Sequence, residues 1–84
     1  MLRVSVRYFA SIREALGPGE AVDVADGSTV GAVRDALIAR GGAHATALAR
    51  GRALRCALNQ LLCDEAVAVG QGAELAFFPP VTGG

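Results

Sequence analysis

Apolar and polar residues alternate over the first eight positions of the chain. The apolar residues of this stretch share one face of an extended segment: Leu2, Val4, Val6 and Tyr8. A period of two is typical of a β-strand that is buried on one face, so the pattern predicts a first strand here. The next segment has helical spacing instead, with Phe9, Ile12 and Leu16 on one face. Gly17-Pro18 supplies a stop signal, which predicts one short helix.

A second strand and the main helix follow. Val22 and Val24 lie on the same face of the segment EAVDVADG, and a Gly-Pro-Gly turn precedes it, so we expect a strand that pairs with the first. Helical spacing returns in STVGAVRDALIARGG, whose apolar stripe consists of Val30, Val33 and Leu37. Ser28 or Thr29 can cap the start of this helix, and Gly41-Gly42 can end it.

The second half of the chain predicts three more strands. Alternation over residues 54–58 indicates a third strand with Cys56 on its apolar face, and Asn59-Gln60 is typical of a turn into a short strand over residues 61–63. A last strand follows the glycine-rich turn GQGAE and covers residues 74–78. Residues 43–51 fit either a further helical turn or an ordered loop.

This order of elements predicts an α+β roll of the β-grasp type, with a mixed sheet of about four to five strands. The main helix must bury its apolar stripe against one face of the sheet, and the short helix follows the first strand. We expect the first and last strands to pair in parallel at the sheet centre. Residues 1–78 then form the domain, and residues 79–84 form a projecting tail.

The composition is that of a packed globule and excludes several classes of function. Of 84 residues, 52% are apolar and 19% are charged, and eight arginines balance eight carboxylates. The chain therefore has no net charge that would attract nucleic acid or an anionic membrane. It contains no lysine, and the N-terminal segment alternates where a signal peptide would be continuously apolar. We expect a cytoplasmic protein whose cysteines are thiols.

Few residues are suited to catalysis. His44 is the only histidine, and its setting among alanines near Arg50 indicates a solvated helix surface. Cys56 fits a small core residue, whereas the role of Cys63 stays open, and their spacing is not that of a metal site. Asp64-Glu65 fits a solvated turn better than an acid–base pair. The sequence thus predicts no metal site and no catalytic group in the globule.

The chain ends on FFPPVTGG, which has features of a presented terminus. If Leu75 and Phe77 belong to the core, alternation leaves Phe78 exposed as an anchor for a partner. Pro79-Pro80 ends the strand and starts a stiff arm, and the segment to Gly84 can span about 20 Å at roughly 3.3 Å per residue. Glycines at positions 83 and 84 can enter a channel too narrow for a side chain.

Three segments resemble the small, sulfur-carrying subunit of molybdopterin synthase: AFFPPVTGG, VRYFASIRE and ALNQ. The resemblance covers the length of the chain, and its terminal motif is highly specific. It implies a ubiquitin-like β-grasp fold and a sulfur carrier in molybdenum cofactor biosynthesis. It also implies that Gly84 is adenylated by a partner enzyme and converted to a thiocarboxylate, while the contacts of the tail come from Phe78, Pro79, Pro80, Val81, Thr82 and Gly83.

The resemblance implies partners and places catalysis elsewhere. This chain would be a non-catalytic sulfur donor within a heterotetramer, with two copies flanking a dimer of large subunits that carry the catalytic residues. Two donated sulfurs would convert cyclic pyranopterin monophosphate into the dithiolene of molybdopterin. The chain itself would bind no cofactor. ATP would be used by the adenylating enzyme, and the sulfur would come from a cysteine desulfurase or a rhodanese system.

Two other functions fit a compact domain with a Gly-Gly end. One is a sulfur carrier for another pathway, such as that of thiamin. The other is a ubiquitin-like modifier that is attached to other proteins; the absence of lysine excludes lysine-linked chains of this protein on itself. The form of the C-terminus in the cell distinguishes a carrier from a modifier, and dithiolene formation with the large subunit distinguishes the two kinds of carrier.

Overall fold

The computed structural model describes residues 1–80, and residues 81–84 lie outside the described part. Its elements are β1 (Leu2–Tyr8), α1 (Ala10–Leu16), β2 (Gly19–Val24), α2 (Val30–Ile38), α3 (Gly42–Ala47), β3 (Arg55–Leu58), β4 (Leu61–Cys63) and β5 (Glu74–Phe78). Each strand and helix predicted from the sequence is present. The segment over residues 43–51, for which the pattern left two possibilities, contains the short helix α3.

The five strands form one mixed sheet in the order β2-β1-β5-β3-β4. The first and last strands of the chain pair in parallel, with Tyr8 opposite Phe77, and the other pairs are antiparallel. The predicted parallel pairing at the centre is confirmed. Because β5 is the central strand, its neighbours cover it on both sides.

The core lies between one face of the sheet and the helices. Along β1 the alternation is complete, since Val4, Val6 and Tyr8 are buried while Ser5 and Arg7 between them are exposed. The stripe of α2 is buried against this face, with Val33 fully covered. Cys56 is 5% exposed and belongs to the same core, as predicted.

A capping side chain and a glycine determine where α2 begins and ends. Thr29, of the two candidate caps, accepts a hydrogen bond through its hydroxyl oxygen from the amide of Ala32 at 3.1 Å. The helix ends at Ile38, and Gly41 separates it from α3 with a φ of 74° that favours glycine. The glycine pair therefore divides two helices at the edge of the core.

Arg34 is a buried cation that the sequence pattern did not single out. It is 3% exposed, and its guanidinium donates to the carbonyls of Leu48 and Ala49 at 2.8 and 2.6 Å and to Oε2 of Glu65 at 2.7 Å. These bonds satisfy the charge away from water. They also hold the segment after α3 and the loop before β5 against α2.

The acidic pair at residues 64–65 therefore has two roles. Asp64 forms the predicted turn, with Oδ1 accepting from the amide of Ala66 at 2.8 Å. Glu65 is not a solvated carboxylate, since it bonds to both Arg34 and Arg50. Burial alone would raise the pKa of Glu65, but the hydrogen bonds from the two arginines lower it below its ordinary value.

A second polar cluster forms around Glu20 and corrects the interpretation of His44. Oε2 of Glu20 lies 2.7 Å from both the Tyr8 hydroxyl, which donates to it, and Nε2 of His44. Arg40 bonds to the other carboxylate oxygen. The side chain of His44 is 24% exposed, so it is packed against the sheet edge and is not on a solvated surface near Arg50. The cluster connects β1 and β2 to α3 and, through Arg40, to the turn between α2 and α3.

The cluster shifts the titration of Glu20. Burial by itself would raise the pKa of Glu20, but the hydrogen bonds with His44, Tyr8 and Arg40 lower it from 4.5 to about 2. Burial and the bond to Glu20 raise the pKa of the Tyr8 hydroxyl above its ordinary value, so it stays a donor. In residues 1–80, no helix is both long enough and apolar enough to span a membrane.

Glu20→Gln should remove an acid-dependent part of the stability. Because the folded-state pKa of Glu20 is about 2 and the ordinary value is 4.5, its contribution is complete above pH 4.5 and is lost as the pH falls toward 2. We expect the wild type to exceed the variant in free energy of unfolding by on the order of 1–2 kcal/mol at pH 6, and the two values to converge near pH 2.

Urea unfolding followed by circular dichroism at several pH values between 2 and 6 measures this difference. Glu14→Gln, which changes an exposed carboxylate on α1, is the control and should run parallel to the wild type. Parallel curves for wild type and Glu20→Gln would contradict the assignment.

Candidate functional site

The base of the tail is the carboxyl end of β5. Phe77 is 1% exposed and lies in the core, and Phe78 points to the other face of the sheet. The strand phase predicted from the sequence is thus confirmed, but Phe78 is half-buried where full exposure was expected. The reason is its position on the central strand, where Arg55 of β3 lies directly opposite and β1 lies on the other side.

The sheet has an open face, opposite the core, on which four strands contribute one continuous row. Arg7, Ala76, Ala57 and Leu62 are successive partners across β1, β5, β3 and β4. The next row toward the tail contains Phe78 and Arg55. The two alanines leave a shallow region between larger side chains, which a partner's side chains could fill.

Phe9 extends this apolar region beyond the end of β1. Its amide donates to the carbonyl of Phe77 at 3.2 Å, and the guanidinium carbon of Arg7 lies 6.0 Å from the centre of its ring. The ring is therefore on the side of Arg7, which is the open face. We call the set Phe9, Ala57, Leu62, Ala76 and Phe78 the tail-base surface.

Two large apolar side chains of the tail-base surface are exposed to solvent. Phe9 is 40% exposed and Leu62 is 68% exposed. Arg7 and Arg55 border the surface, and Arg7 lies 3.9 Å from the Glu74 carboxylate. Exposed aromatic and aliphatic side chains with a charged rim are typical of a protein-binding surface.

The structure describes only part of the predicted site. Phe78 ends β5, Pro79 is half-buried after it, and Pro80 is exposed. Pro79 has no amide hydrogen to continue the sheet, so the strand ends at this point. The remaining predicted site residues lie outside the described residues: Val81, Thr82, Gly83 and Gly84.

Two members of the surface were missed by the sequence analysis. Phe9 was assigned to the apolar side of α1, but it is the N-cap residue, with extended φ and ψ of −131° and 157°, so its side chain leaves the helical stripe. For Leu62 the pattern predicts a strand but does not indicate on which side of the sheet its side chain lies. The two-residue turn at Asn59-Gln60, with positive φ at both residues, pairs Leu62 with Ala57 and so puts it opposite the core.

Comparison with known proteins identifies the family of the chain. The model of the ThiS family matches residues 6–84 of the chain. The chain belongs to the ThiS family. A curated relative, the molybdopterin synthase sulfur carrier subunit of Haemophilus influenzae, is 44% identical over 82 residues, which cover 96% of this chain and 99% of that protein.

Solved structures share the fold of this ThiS-family chain. SAMP1 from Haloferax volcanii has a TM-score of 0.77 at 32% identity, over 98% of this chain and 99% of that one. A chain from the complex of subunits 1 and 2 of molybdopterin-converting factor from Helicobacter pylori has a TM-score of 0.69 at 24% identity, over 99% and 100% of the two chains. The predicted α+β fold of the ubiquitin-like β-grasp type is confirmed.

The two adjacent phenylalanines should separate stability from binding. Phe77→Ala removes a fully buried ring, so we expect the free energy of unfolding to fall by about 3–5 kcal/mol. Phe78→Ala, the matched change one residue later, removes a half-buried ring on the open face and should cost less than about 1.5 kcal/mol. Urea denaturation of both variants tests this, and a larger loss for Phe78→Ala would contradict the observed strand phase.

Proposed function

We propose that this ThiS-family chain is a sulfur carrier of molybdenum cofactor biosynthesis. The observation that carries the proposal is the route of the chain end. It leaves the central strand at Phe78 and passes through Pro79-Pro80 next to the tail-base surface, and the sequence then continues to Gly83-Gly84. The name of its Haemophilus influenzae relative, which matches over nearly the whole length of both chains, supports the same function.

Sulfur transfer by this chain would require an accessible C-terminal carboxylate at Gly84 and no catalytic site of its own. The Gly84 carboxylate would attack the α-phosphorus of ATP on an adenylating enzyme, which releases pyrophosphate and forms an acyl-adenylate. A persulfide on the sulfur donor then displaces AMP and forms an acyl disulfide, and a second thiol cleaves its S–S bond, which releases the thiocarboxylate and leaves a disulfide on the donor. A thiocarboxylate is ionised and nucleophilic at neutral pH, so it needs no base from this chain.

The tail must reach an active site on another protein. Residues 79–84 can span about 20 Å at roughly 3.3 Å per residue. Gly83 adds no side chain, so the thiocarboxylate of Gly84 can enter a narrow channel, and Val81 and Thr82 would contact its entrance. In this proposal residues 1–78 are the domain that positions the tail.

The large subunit of molybdopterin synthase is the partner for the tail-base surface. Phe9, Leu62 and Phe78 would supply the apolar contacts, while Arg7 and Arg55 would pair with carboxylates at the rim. The large subunit would carry the catalytic residues, and two carriers would flank its dimer. Each of two thiocarboxylates would donate one sulfur to cyclic pyranopterin monophosphate to form the dithiolene.

The remaining partners and the location follow from the same chemistry. The adenylating enzyme uses the ATP, and a cysteine desulfurase or a rhodanese system supplies the sulfur. We expect this chain itself to bind no cofactor. We also expect all of these steps to take place in the cytoplasm. A thiamin-type sulfur carrier would use the same activation but a different acceptor.

The alternative of a protein modifier has one observation in its favour. The chain is similar to SAMP1, a small archaeal modifier protein of Haloferax volcanii. The mass of the protein isolated from its own cells distinguishes the two functions. Replacement of one oxygen by sulfur at Gly84 supports the carrier, whereas recovery mainly as adducts on other proteins supports the modifier.

Deletion of Gly84 should abolish sulfur transfer without weakening the domain. The change lies beyond the core, so we expect the Tm to stay within about 1 °C of the wild type. A thiocarboxylated sample of the full chain, mixed with the large subunit and cyclic pyranopterin monophosphate, should form the dithiolene, and the deletion variant should form none. Full activity of the deletion variant, or no product from the thiocarboxylated chain, would refute the proposal.

Two substitutions on the tail-base surface should weaken binding to the large subunit. We expect Leu62→Ala and Phe78→Ala each to raise the Kd roughly tenfold or more, because each removes an apolar anchor near the entry of the tail. Val67→Ala is the control, since Val67 is 39% exposed but lies beside the start of α2. Calorimetric titration measures the Kd, and equal effects of all three changes would argue against this surface.

A further inference from the structure

The sheet contains a pair of thiols that the proposed sulfur transfer does not use. Cys56 on β3 and Cys63 on β4 are directly opposite each other, and their Sγ atoms are 3.7 Å apart. Cys56 is buried and Cys63 is half-buried, and both are free thiols. Cys63 lines an open groove of about 490 Å³ whose other walls come from Leu54, Arg55, Cys56, Leu62, Asp64 and Glu65.

We propose that Cys63 is a site of reversible thiol modification by low-molecular-weight disulfides, and that Cys56 resolves the adduct into an internal disulfide. The inference goes beyond sulfur transfer at Gly84 and does not depend on it. It uses the facing positions of the two sulfurs, their different exposure and the groove that both residues line.

The positions of the two residues allow a disulfide with little backbone movement. Directly opposed residues of an antiparallel pair have Cα atoms roughly 4.5–5.5 Å apart, which is within the range of roughly 4.4–6.8 Å for disulfides. The Sγ atoms must approach from 3.7 Å to about 2.05 Å. The Cys56 thiol now donates to the Cys63 carbonyl at 3.3 Å, so both sulfurs already lie over the same stretch of β4.

The different surroundings of the two thiols set the order of the steps. Cys63 is half-buried whereas Cys56 is only 5% exposed, so a small disulfide in the groove reaches Cys63 more readily. Burial, and then the contact with Cys63, raise the pKa of Cys56 to about 12, so Cys56 remains a protonated thiol at neutral pH. Cys56 therefore does not react first with a disulfide in solution.

Both steps are thiol–disulfide exchanges. The Cys63 thiolate attacks a small disulfide RS–SR, which forms Cys63–S–S–R and releases RS⁻. Cys56 then loses its proton to solvent and attacks Sγ of Cys63, which forms the internal disulfide and releases a second RS⁻. Proximity offsets the poor ionisation of Cys56, because the sulfur that it attacks is its neighbour. The two protein thiols are oxidised, and the small disulfide is reduced to two thiols.

The modification would act on the hairpin that carries part of the tail-base surface. Leu62 lies between the turn and Cys63 on β4, with its side chain on the open face and the sulfur on the opposite face. An internal disulfide would tie this short edge strand to β3. Reaction at the groove without resolution would instead leave a bulky adduct beside Leu62.

Mass spectrometry of the full chain in its carboxylate form tests the proposal, since this form has no thiocarboxylate that could react. After treatment with oxidised glutathione at pH 8, we expect the wild type to lose two hydrogens and to yield a peptide that links Cys56 to Cys63. Cys56→Ala should stop at one glutathione adduct on Cys63. Cys63→Ala should react at least ~10-fold more slowly than Cys56→Ala, because Cys56 is only 5% exposed and its burial disfavours the thiolate.

Several outcomes would overturn the inference. A stable glutathione adduct on the wild type would show that Cys56 does not resolve it, and an unmodified wild type would show that Cys63 is not reactive. Similar rates of reaction with glutathione for Cys63→Ala and Cys56→Ala would contradict the proposal that Cys63 reacts first. Circular dichroism verifies that both variants are folded. If one variant is unfolded, the presence or absence of the Cys56–Cys63 linkage in the peptide map of the wild type tests the proposal. Failure would leave the proposed sulfur transfer at Gly84 unaffected.

Discussion

The parallel pairing of β1 with β5 is the constraint on which the other features depend. It places the last strand at the centre of the sheet, where Phe77 is fully buried beside Tyr8 and the strand is covered on both sides. The strand that precedes the tail is therefore held by the most protected part of the core. A tail anchored at an edge strand would be positioned less firmly, because an edge strand has only one neighbour.

Two polar clusters fix the helices on this sheet. Arg34 connects α2 to the segments on either side of the β3–β4 hairpin, and Glu20 joins β1 and β2 to α3 and to the turn before it. Each cluster contains a charged group that is at least partly shielded from water, the guanidinium of Arg34 or the carboxylate of Glu20. Several hydrogen bonds to that group compensate for its lost hydration. The small apolar core of an 84-residue chain is thereby supplemented by directional contacts between elements.

The β3–β4 hairpin combines two separate chemical surfaces. Alternation puts Leu62 on the open face and Cys63 on the other, so one short strand contributes to the tail-base surface and to the thiol pair. The tight turn at Asn59-Gln60 sets both registers at once. Any change in the length of this turn would move Leu62 away from Ala57 and Cys63 away from Cys56 together.

Local pattern determined most of the fold and the chemical nature of the chain end. Period-two and helical spacing predicted the strands, both longer helices and the inward position of Phe77, because each depends on residues near each other in sequence. The tail motif predicted the site residues, and their roles remain predictions. Only the tertiary structure decided that Phe9 and Leu62 join Phe78 on one surface, that Glu20 holds His44, that Arg34 is buried and that two cysteines face each other. These contacts join residues distant in sequence, and their geometry follows from strand order and register, which periodicity alone does not specify.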